Sequence, residues 1–447
     1  MPHVTASNRD ADAVSVLGTL ADGVVGSGGS RGLLRVETAG IEIDWWVGAD
    51  DSWRIPSSGA VHTIRPGVAP AIEARVRVPG GEVVLRAYAV AGEDAPLVVA
   101  ELENASPAPV VLAWVVRAAP GYRIGRAAID GSTLLIDERA RVELPGAPSR
   151  WAVDARAAGV YESVVGGNAA SGRFDSSASG AGAGGGRHGD VEIALLFPVA
   201  HRTRTRIAAT AAGARSTAVA VARLPSLADV ERGWVAALDR GMRVELPDEP
   251  MQAAVDAARA TLLLGLGSRS RRDRFVSRIS QSWGLADAPA RRRLRAVADD
   301  RDDDPWPGLR ASVTVTSAAS GATPRRAAEW LGALRGALVH VERGRVDLLP
   351  HFPVEWLGLP VAVHDAPTRH GPVSFALRWH DLRPALLWDV PANLRVGAPA
   401  LDRSWEGPGG AGEALLGEID PTRLLPLDTA EPSATPDAIL DEPGSFT

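Results

Sequence analysis

The pattern of apolar residues changes twice along this 447-residue chain, and these changes constrain its fold more than any other feature. From about residue 32 to residue 224, short runs of alternating apolar and polar residues are separated by Gly, Pro, Asn and Asp. This pattern predicts consecutive antiparallel strands, with a tight turn at Pro79-Gly80-Gly81, and hence a β-sandwich. The predicted strands include residues 71–78, 82–90, 97–102, 110–116, 191–197 and 216–224.

After residue 224 the spacing of apolar residues becomes helical. Ser226, with Asp229 three residues later, predicts a capped linker helix, and Asp248 and Thr323 predict the starts of two further helices. Strand character returns at residue 345. We therefore expect an α+β, mainly β fold: a large antiparallel, supersandwich-like β-sandwich, a small helical layer and a C-terminal β-segment.

The same changes predict the divisions of the chain. We expect a flexible N-terminus (1–30), the sandwich (31–224), a linker helix with a reduced helical region (225–344), the C-terminal β-segment (345–392) and an acidic, Pro- and Gly-rich tail (393–447). Within the β-segment, residues 374–379 and 384–388 are expected to pair as strands. The Gly-, Ala- and Ser-rich stretch 166–189 is expected to be a disordered loop, because no G-x-G-x-x-G motif leads into a helix there.

The composition excludes several functional classes. The chain has no Cys and all 48 of its basic residues are Arg, so disulfides, thiolate nucleophiles and lysine-dependent mechanisms are absent. A net charge of -6 disfavours nucleic acid as a partner, and the Arg clusters at 271–272 and 291–293 are largely cancelled by the acidic residues at 299–304. No apolar run is long enough for a membrane span and the N-terminus lacks a signal-peptide pattern, which predicts a cytoplasmic protein.

No cofactor and no metal site are expected. Five of the nine His residues fall in the C-terminal half, but their spacing matches no zinc motif. These residues are His340, His351, His364, His370 and His380.

Three parts of the sequence carry a resemblance to a known family. They are residues 32–36 with Ile43-Asp44-Trp45-Trp46-Val47-Gly48 and Trp53; Val244-Glu245-Leu246-Pro247-Asp248; and Ala328-Glu329-Trp330, 346–350, Val354-Glu355-Trp356 and 366–374. Their content and order resemble the (α/α)6-barrel glycoside hydrolases and phosphorylases, the six-hairpin glycosidases of the glucoamylase and trehalase kind. The resemblance covers about two thirds of the chain.

The chain departs from that family in its middle. A barrel of twelve helices of about 11 to 12 residues each, with loops, needs well over about 200 residues, whereas residues 246–341 supply only 96. Three or four helices fit. Because the family's catalytic carboxylates come from barrel loops, the resemblance supplies no general acid or base for this chain.

The candidate site residues lie in the family-like segments. The chain has thirteen Trp against three Tyr and six Phe, which suggests stacking surfaces for sugar rings. The candidate carbohydrate-binding residues are Asp44, Trp45, Trp46, Asp51 and Trp53. Since Trp45 and Trp46 are adjacent on a predicted strand, one is expected in the core and the other exposed. Glu329 and Glu355 are the candidate acids.

These features favour a non-catalytic or degenerate glycosidase-like protein with a role in carbohydrate recognition or as a scaffold. One alternative is an active glycoside hydrolase-like enzyme with a site rebuilt from Asp44, Glu329 or Glu355. A second alternative is a protein-binding assembly component that uses the acidic stretch 428–441 as its contact.

Overall fold

The computed structural model describes residues 14–424, apart from residues 60, 138, 155–158, 173–190, 211–218, 268–272, 287–304, 314–322, 382 and 421–423. Within this part of the chain, strands form four sheets, and six α-helices have five or more residues. The prediction of an α+β, mainly β fold is confirmed.

Two eight-stranded antiparallel sheets form the N-terminal sandwich. The first sheet contains β1 (Val14–Thr19), β2 (Gly23–Gly29), β3 (Leu34–Val36), β4 (Ile41–Ala49), β5 (Ser52–Arg54), β10 (Val110–Ala118), β14 (Arg150–Asp154) and β15 (Glu192–Val199). Its strand order is β1-β2-β3-β4-β10-β15-β14, with β5 paired to β4.

The second sheet contains β6 (His62–Ile64), β7 (Ile72–Val78), β8 (Gly81–Val90), β9 (Leu97–Asn104), β11 (Ala127–Asp130), β12 (Thr133–Ile136), β13 (Ala140–Glu143) and β16 (Arg204–Thr210). Its strand order is β11-β12-β13-β16-β9-β8-β7-β6. The predicted turn is present, because Val78 pairs with Gly81 and leaves Pro79 and Gly80 as a two-residue loop. Gly80 has a φ of +75°, a conformation that suits a residue without a Cβ.

The sandwich core lies between the inner faces of these sheets. Because side chains alternate along a strand, every second residue points inward, among them Trp45 and Trp114 from the first sheet and Leu85 and Leu102 from the second. The strands predicted between residues 71 and 116 and at 191–197 are confirmed by β7 to β10 and β15.

The sandwich begins earlier than the predicted boundary at residue 31. Residues 14–29 form the hairpin of β1 and β2 rather than a flexible terminus, while residues 1–13 lie outside the described part. The glycines of this hairpin serve close packing, since a Cβ on Gly26 would lie 2.7 Å from the carbonyl oxygen of Arg35. A composition that is typical of a flexible segment therefore belongs here to packed strands.

The structure also differs from the prediction of a strand at residues 216–224. Residues 216–218 lie outside the described part, and Val221–Arg223 form a short 3-10 helix that places Val221 against the outer face of the second sheet. Of the stretch 166–189, only residues 166–172 are described, and there Ala170 forms a β-bridge with Trp151. The predicted loop at 173–189 lies outside the described residues.

The helices are α1 (Tyr161–Val165), α2 (Leu227–Leu238), α3 (Glu249–Leu264), α4 (Arg274–Ser282), α5 (Trp306–Ala311) and α6 (Pro324–Leu338). Ser226 and Asp229 form the predicted capping box of α2, and the side chains of Asp248 and Thr323 cap α3 and α6. Between residues 246 and 341 the described segments thus contain four helices. None of the helices in the described segments has the length and apolar character needed to cross a membrane.

The linker helix α2 is hydrogen bonded to the sandwich. Both carboxylate oxygens of Glu231 accept backbone N–H groups of the sandwich, from Val68 at 2.6 Å and Ala69 at 2.9 Å. The hydroxyl of Tyr88 on β8 donates to the carbonyl of Pro225, just before α2, at 3.0 Å. These bonds position the chain that leads into the helical layer.

Two smaller sheets pack with α3 to α6 around a second core. The third sheet contains β17 (Arg243–Glu245), β20 (Val361–Thr368), β21 (Gly371–His380), β22 (Arg383–Val390) and β25 (Gly410–Leu415), in the order β17-β20-β21-β22-β25. The fourth contains β18 (Val339–Glu342), β19 (Arg345–Leu348), β23 (Arg395–Ala398) and β24 (Asp402–Gly407), in the order β18-β19-β23-β24. The predicted pairing of 374–379 with 384–388 is confirmed by β21 and β22.

The prediction of a loosely attached tail from residue 393 is wrong for its first part. Residues 395–415 form β23, β24 and β25, and Val396 and Leu401 are buried in the second core. These strands are short and rich in Gly, so pairing with neighbouring strands rather than local apolar content orders them. The acidic stretch 428–441 lies outside the described residues.

Candidate functional site

Neither Trp45 nor Trp46 on β4 is exposed. Trp45 points into the sandwich core and its indole N–H donates to the carbonyl of Arg31 at 3.3 Å. Trp46 points to the opposite face but is only 5% exposed, because it packs with Val160 and with Val164 of α1. The prediction that one of the two would be exposed is wrong, since it did not anticipate that α1 covers the outer face of the sheet.

Asp44 is enclosed and fully engaged. Its side chain is 1% exposed and accepts the backbone N–H of Trp45 at 2.8 Å and the indole N–H of Trp46 at 3.2 Å. Arg117 Nη2 lies 2.7 Å from Asp44 Oδ2, and Arg117 Nη1 lies 3.5 Å from Glu192 Oε1. With these partners, Asp44 holds β4 against β10 and has no access to a sugar hydroxyl.

Asp51 and Trp53 lie at the surface. Asp50 and Asp51 both have a φ of 53°, as the type I′ turn between β4 and β5 requires, and Asp51 is exposed. Trp53 is half-buried, with its ring over Gly48, and packs against the cluster that contains Trp46. The exposed ring of Tyr161 meets Trp46 edge-on at 6.1 Å. Of the five predicted residues, only Asp51 and Trp53 are thus accessible to a ligand.

The abundance of Trp is explained largely by core packing. All thirteen Trp residues are described; none is fully exposed, and three are half-buried. The half-buried residues are Trp53, Trp379 and Trp405. A high Trp content therefore does not indicate a sugar-stacking surface in this protein.

The two candidate acids lie on separate elements. Glu329 is exposed on α6 and accepts from Arg325 Nε at 2.8 Å, while Arg325 also contacts Asp273 at 3.2 Å. Glu355 is exposed on a short 3-10 helix, Val354–Trp356. Neither residue lines the cleft described next. As for metals, no group of three or more His, Asp or Glu side chains in the described segments is placed to hold an ion.

A cleft with a volume of about 950 Å³ opens in the C-terminal region. Three segments form it: the chain after β19, the connection from β23 into β24, and the chain after β25. The lining residues are Pro350, His351, Phe352, Pro399, Ala400, Leu401, Asp402, Arg403, Ser404, Gly417, Glu418, Ile419, Asp420 and Leu424.

Apolar anchors hold the three segments in place. Phe352, Leu401 and Ile419 are buried in the second core, one from each segment. The backbone N–H of Leu401 donates to the carbonyl of Ala398 at 3.0 Å and closes the turn into β24. Each anchor has at least one polar neighbour in the sequence, and burial of the anchor leaves that neighbour on the cleft wall.

The polar side chains of the cleft supply both donors and acceptors. Asp402 Oδ1 accepts the backbone N–H of Ser404 at 2.9 Å and its hydroxyl at 2.7 Å, which fixes the carboxylate and leaves Oδ2 for other partners. Arg403 and Glu418 are exposed and His351 is half-buried. None of these three side chains has a hydrogen-bond or ion-pair partner within the part of the chain that the structure describes.

Sequence reasoning missed the cleft, because two of its three segments fall in the stretch that was predicted to be a tail. The available signal was weak: Leu394, Val396 and Ala398 alternate with polar or small residues, and Leu401 and Trp405 follow. A short alternating run of this kind marks a strand only when its neighbours in the sheet are known.

Comparisons with known proteins give little further identification. No protein-family model matches the sequence, and no curated protein matches it. Among solved structures, the chain is similar to a bacterial glucoamylase in complex with acarbose, with a TM-score of 0.40 and 7% sequence identity. The match covers 57% of this chain and 41% of the glucoamylase chain. A similarity of this size identifies neither a family nor an activity for this chain.

Proposed function

We propose that this protein binds a carbohydrate in the C-terminal cleft and does not hydrolyse it. One observation carries the proposal: an open cleft of about 950 Å³ whose wall offers free donors and acceptors beside an apolar floor. Sugars present hydroxyl groups that both donate and accept, together with apolar C–H faces. Arg403, Glu418 and His351 match the hydroxyl groups, and the half-buried Pro399 and Ala400 provide apolar surface.

The size and polarity of the cleft support this class of ligand. Small-molecule sites measure about 300–1,000 Å³, and sites for apolar ligands are enclosed mainly by hydrophobic side chains. This cleft is open and carries polar or charged side chains on each of its three segments, including His351, Arg403 and Glu418. A polar oligosaccharide that keeps part of its surface in water suits such a cleft better than an apolar ligand does.

The arrangement of the acids supports binding rather than turnover. Glycosidic hydrolysis uses two opposed carboxyl groups about 5 to 10 Å apart, and burial or a neighbouring charge must keep one of them protonated. Glu418 and Asp420 are exposed to solvent, and Asp402 is engaged by Ser404. Glu329 and Glu355, which lie in glycosidase-like motifs, are outside the cleft. A degenerate relative of six-hairpin glycosidases is consistent with these features.

Calorimetric titration with oligomers of glucose, glucosamine and N-acetylglucosamine tests the proposal. We expect wild-type protein to bind at least one series, and Ser404→Trp, which fills the cleft from an exposed position, to abolish that binding. Ala411→Trp, on the exposed side of β25 and outside the cleft, is the matched control and retains wild-type affinity. Trp53→Ala also retains it, because Trp53 belongs to the sandwich surface. Absence of binding to every series contradicts the proposal.

The active-enzyme alternative is tested with the same ligands. Each oligomer is incubated with the protein and the products are separated by chromatography. If the wild type releases shortened oligomers and Asp402→Asn or Glu418→Gln does not, the cleft is a hydrolytic site. That outcome contradicts the non-catalytic role. The assembly alternative depends on residues 428–441, which lie outside the described part of the chain.

A further inference from the structure

The cleft carries an excess of negative charge. Among the described residues that line it, the charged groups are the carboxylates of Asp402, Glu418 and Asp420 and the guanidinium of Arg403. Together these four groups give the described lining a net charge of two negatives. A neutral sugar can donate hydroxyl hydrogen bonds to these carboxylates, but it carries no positive charge and leaves their net charge uncompensated.

Two carboxylates of the cleft, Asp402 and Glu418, differ from those on the outer face of the sandwich in their partners. On the outer face of the second sheet, Glu73 accepts from Arg75 and Arg86, and Glu101 from Arg206. In the cleft, by contrast, Glu418 has no ion-pair partner in the described part of the chain, and Asp402 Oδ2 accepts no hydrogen bond from the described residues. The carboxylate of Glu418 and Oδ2 of Asp402 are therefore available to a ligand.

The stretch of chain that follows Leu424 is a poor candidate for a ligand of the cleft. Residues 425–447, which follow Leu424 at the cleft wall, contain five acidic residues and no Arg, Lys or His. Like charges repel, so this stretch does not complement the cleft. An external ligand of opposite charge does.

We infer that the carbohydrate bound in this cleft is a cationic amino sugar with unacetylated amines, an inference that rests on the proposed carbohydrate-binding function. The ammonium group of such a sugar donates to Asp402 Oδ2 and the carboxylate of Glu418, while its hydroxyl groups bond Arg403 and Ser404. Hydrogen bonds that involve a charged group are about twice as strong as neutral ones, which gives the amine the larger share of the selectivity.

Glucosamine trimer and N-acetylglucosamine trimer of the same linkage are the matched ligands for the test, because they differ only in the acetylation of the amine. Calorimetry near neutral pH is expected to show the glucosamine trimer binding about tenfold more tightly, the ratio that corresponds to about 1.4 kcal/mol. Added salt should weaken binding of the glucosamine trimer far more than that of its acetylated counterpart, since salt screens the attraction between opposite charges.

Two variants separate the effect of the cleft carboxylates from that of general surface charge: the double variant Asp402→Asn/Glu418→Gln and the single variant Glu413→Gln. The double variant should bind both trimers with similar affinity, whereas Glu413→Gln, which removes an exposed carboxylate of β25 outside the cleft, should keep the wild-type preference. Equal affinity of the wild type for the two trimers overturns the amino-sugar inference and leaves carbohydrate binding intact. Failure of all the oligomers to bind overturns the proposed function itself.

Discussion

Carboxylates occupy two contrasting settings in this protein. On the outer face of the first sheet, Asp44 is surrounded by Arg117, Trp45 and Trp46 and is 1% exposed. In the C-terminal cleft, Glu418 faces solvent without an ion-pair partner in the described segments. Of these two acids, only the second is open to a ligand.

The difference teaches that the partners of an acid, rather than its neighbours in sequence, separate structural from functional roles. A buried carboxylate must be paired, since its desolvation is otherwise too costly, and pairing consumes its oxygens. An exposed carboxylate contributes little to stability, and that of Glu418 has no ion-pair partner among the described residues. Asp44 therefore belongs to the fold, and Glu418 is available to bind a ligand.

The largest predicted effect is at the enclosed site. Arg117→Met removes the cation that neutralises Asp44, and we expect the free energy of unfolding to fall by about 3–5 kcal/mol, because an uncompensated charge is left buried. Urea unfolding measures the loss. In the double variant Asp44→Asn/Arg117→Met, no charge is left on either residue, and most of the stability should return. A loss below about 1 kcal/mol in the single variant shows that Asp44 is not enclosed as described.

A smaller effect is expected at Tyr88, an enclosed polar group of the second sheet. Tyr88→Phe removes the hydrogen bond from the hydroxyl to the carbonyl of Pro225, and leaves that carbonyl without this donor. We expect a loss of about 1–2 kcal/mol at neutral pH, measured by urea unfolding. A variant as stable as wild type contradicts the role of this bond in attaching the linker to the sandwich.

The same residue predicts a dependence on pH. Burial raises the pKa of Tyr88 from 10.0 to about 12. Above pH 10 the unfolded chain therefore loses this proton before the folded protein does, and the stability of the wild type falls as the pH rises. At about 1.4 kcal/mol per pKa unit, its advantage over Tyr88→Phe should disappear near pH 11. An advantage that stays constant from pH 9 to about pH 11.5 contradicts the enclosure of the hydroxyl.

Local features of the sequence predicted much of the fold. The helix caps at Ser226, Asp248 and Thr323 and the hairpin at Pro79-Gly80 were predictable because each depends on residues within one turn of the chain. Alternation predicted the sandwich strands for the same reason. The Gly-rich hairpin of residues 14–29 was not predictable, since its glycines are required by packing against Arg35 and other residues distant from it.

The accessibility of the candidate site was not predictable. Alternation places Trp45 and Trp46 on opposite faces of β4, but only the three-dimensional structure shows that α1 covers the second face. The cleft is likewise assembled from three segments separated by up to about 70 residues in the chain. Its residues have no common sequence pattern, because the buried anchors Phe352, Leu401 and Ile419 bring them together only in the folded protein.

The smallest effect on stability is predicted for the cleft itself. Arg403→Ala and Glu418→Gln should each change the free energy of unfolding by less than about 0.5 kcal/mol, because both side chains are exposed and have no partners among the described residues. Urea unfolding of each variant alongside Arg117→Met compares the loss of stability at the cleft with the loss at the enclosed site. If either cleft variant loses as much stability as Arg117→Met does, its side chain supports the fold, and the distinction between enclosed and open charges fails. With stability unchanged, any loss of oligosaccharide affinity in these variants reports on the ligand contact alone.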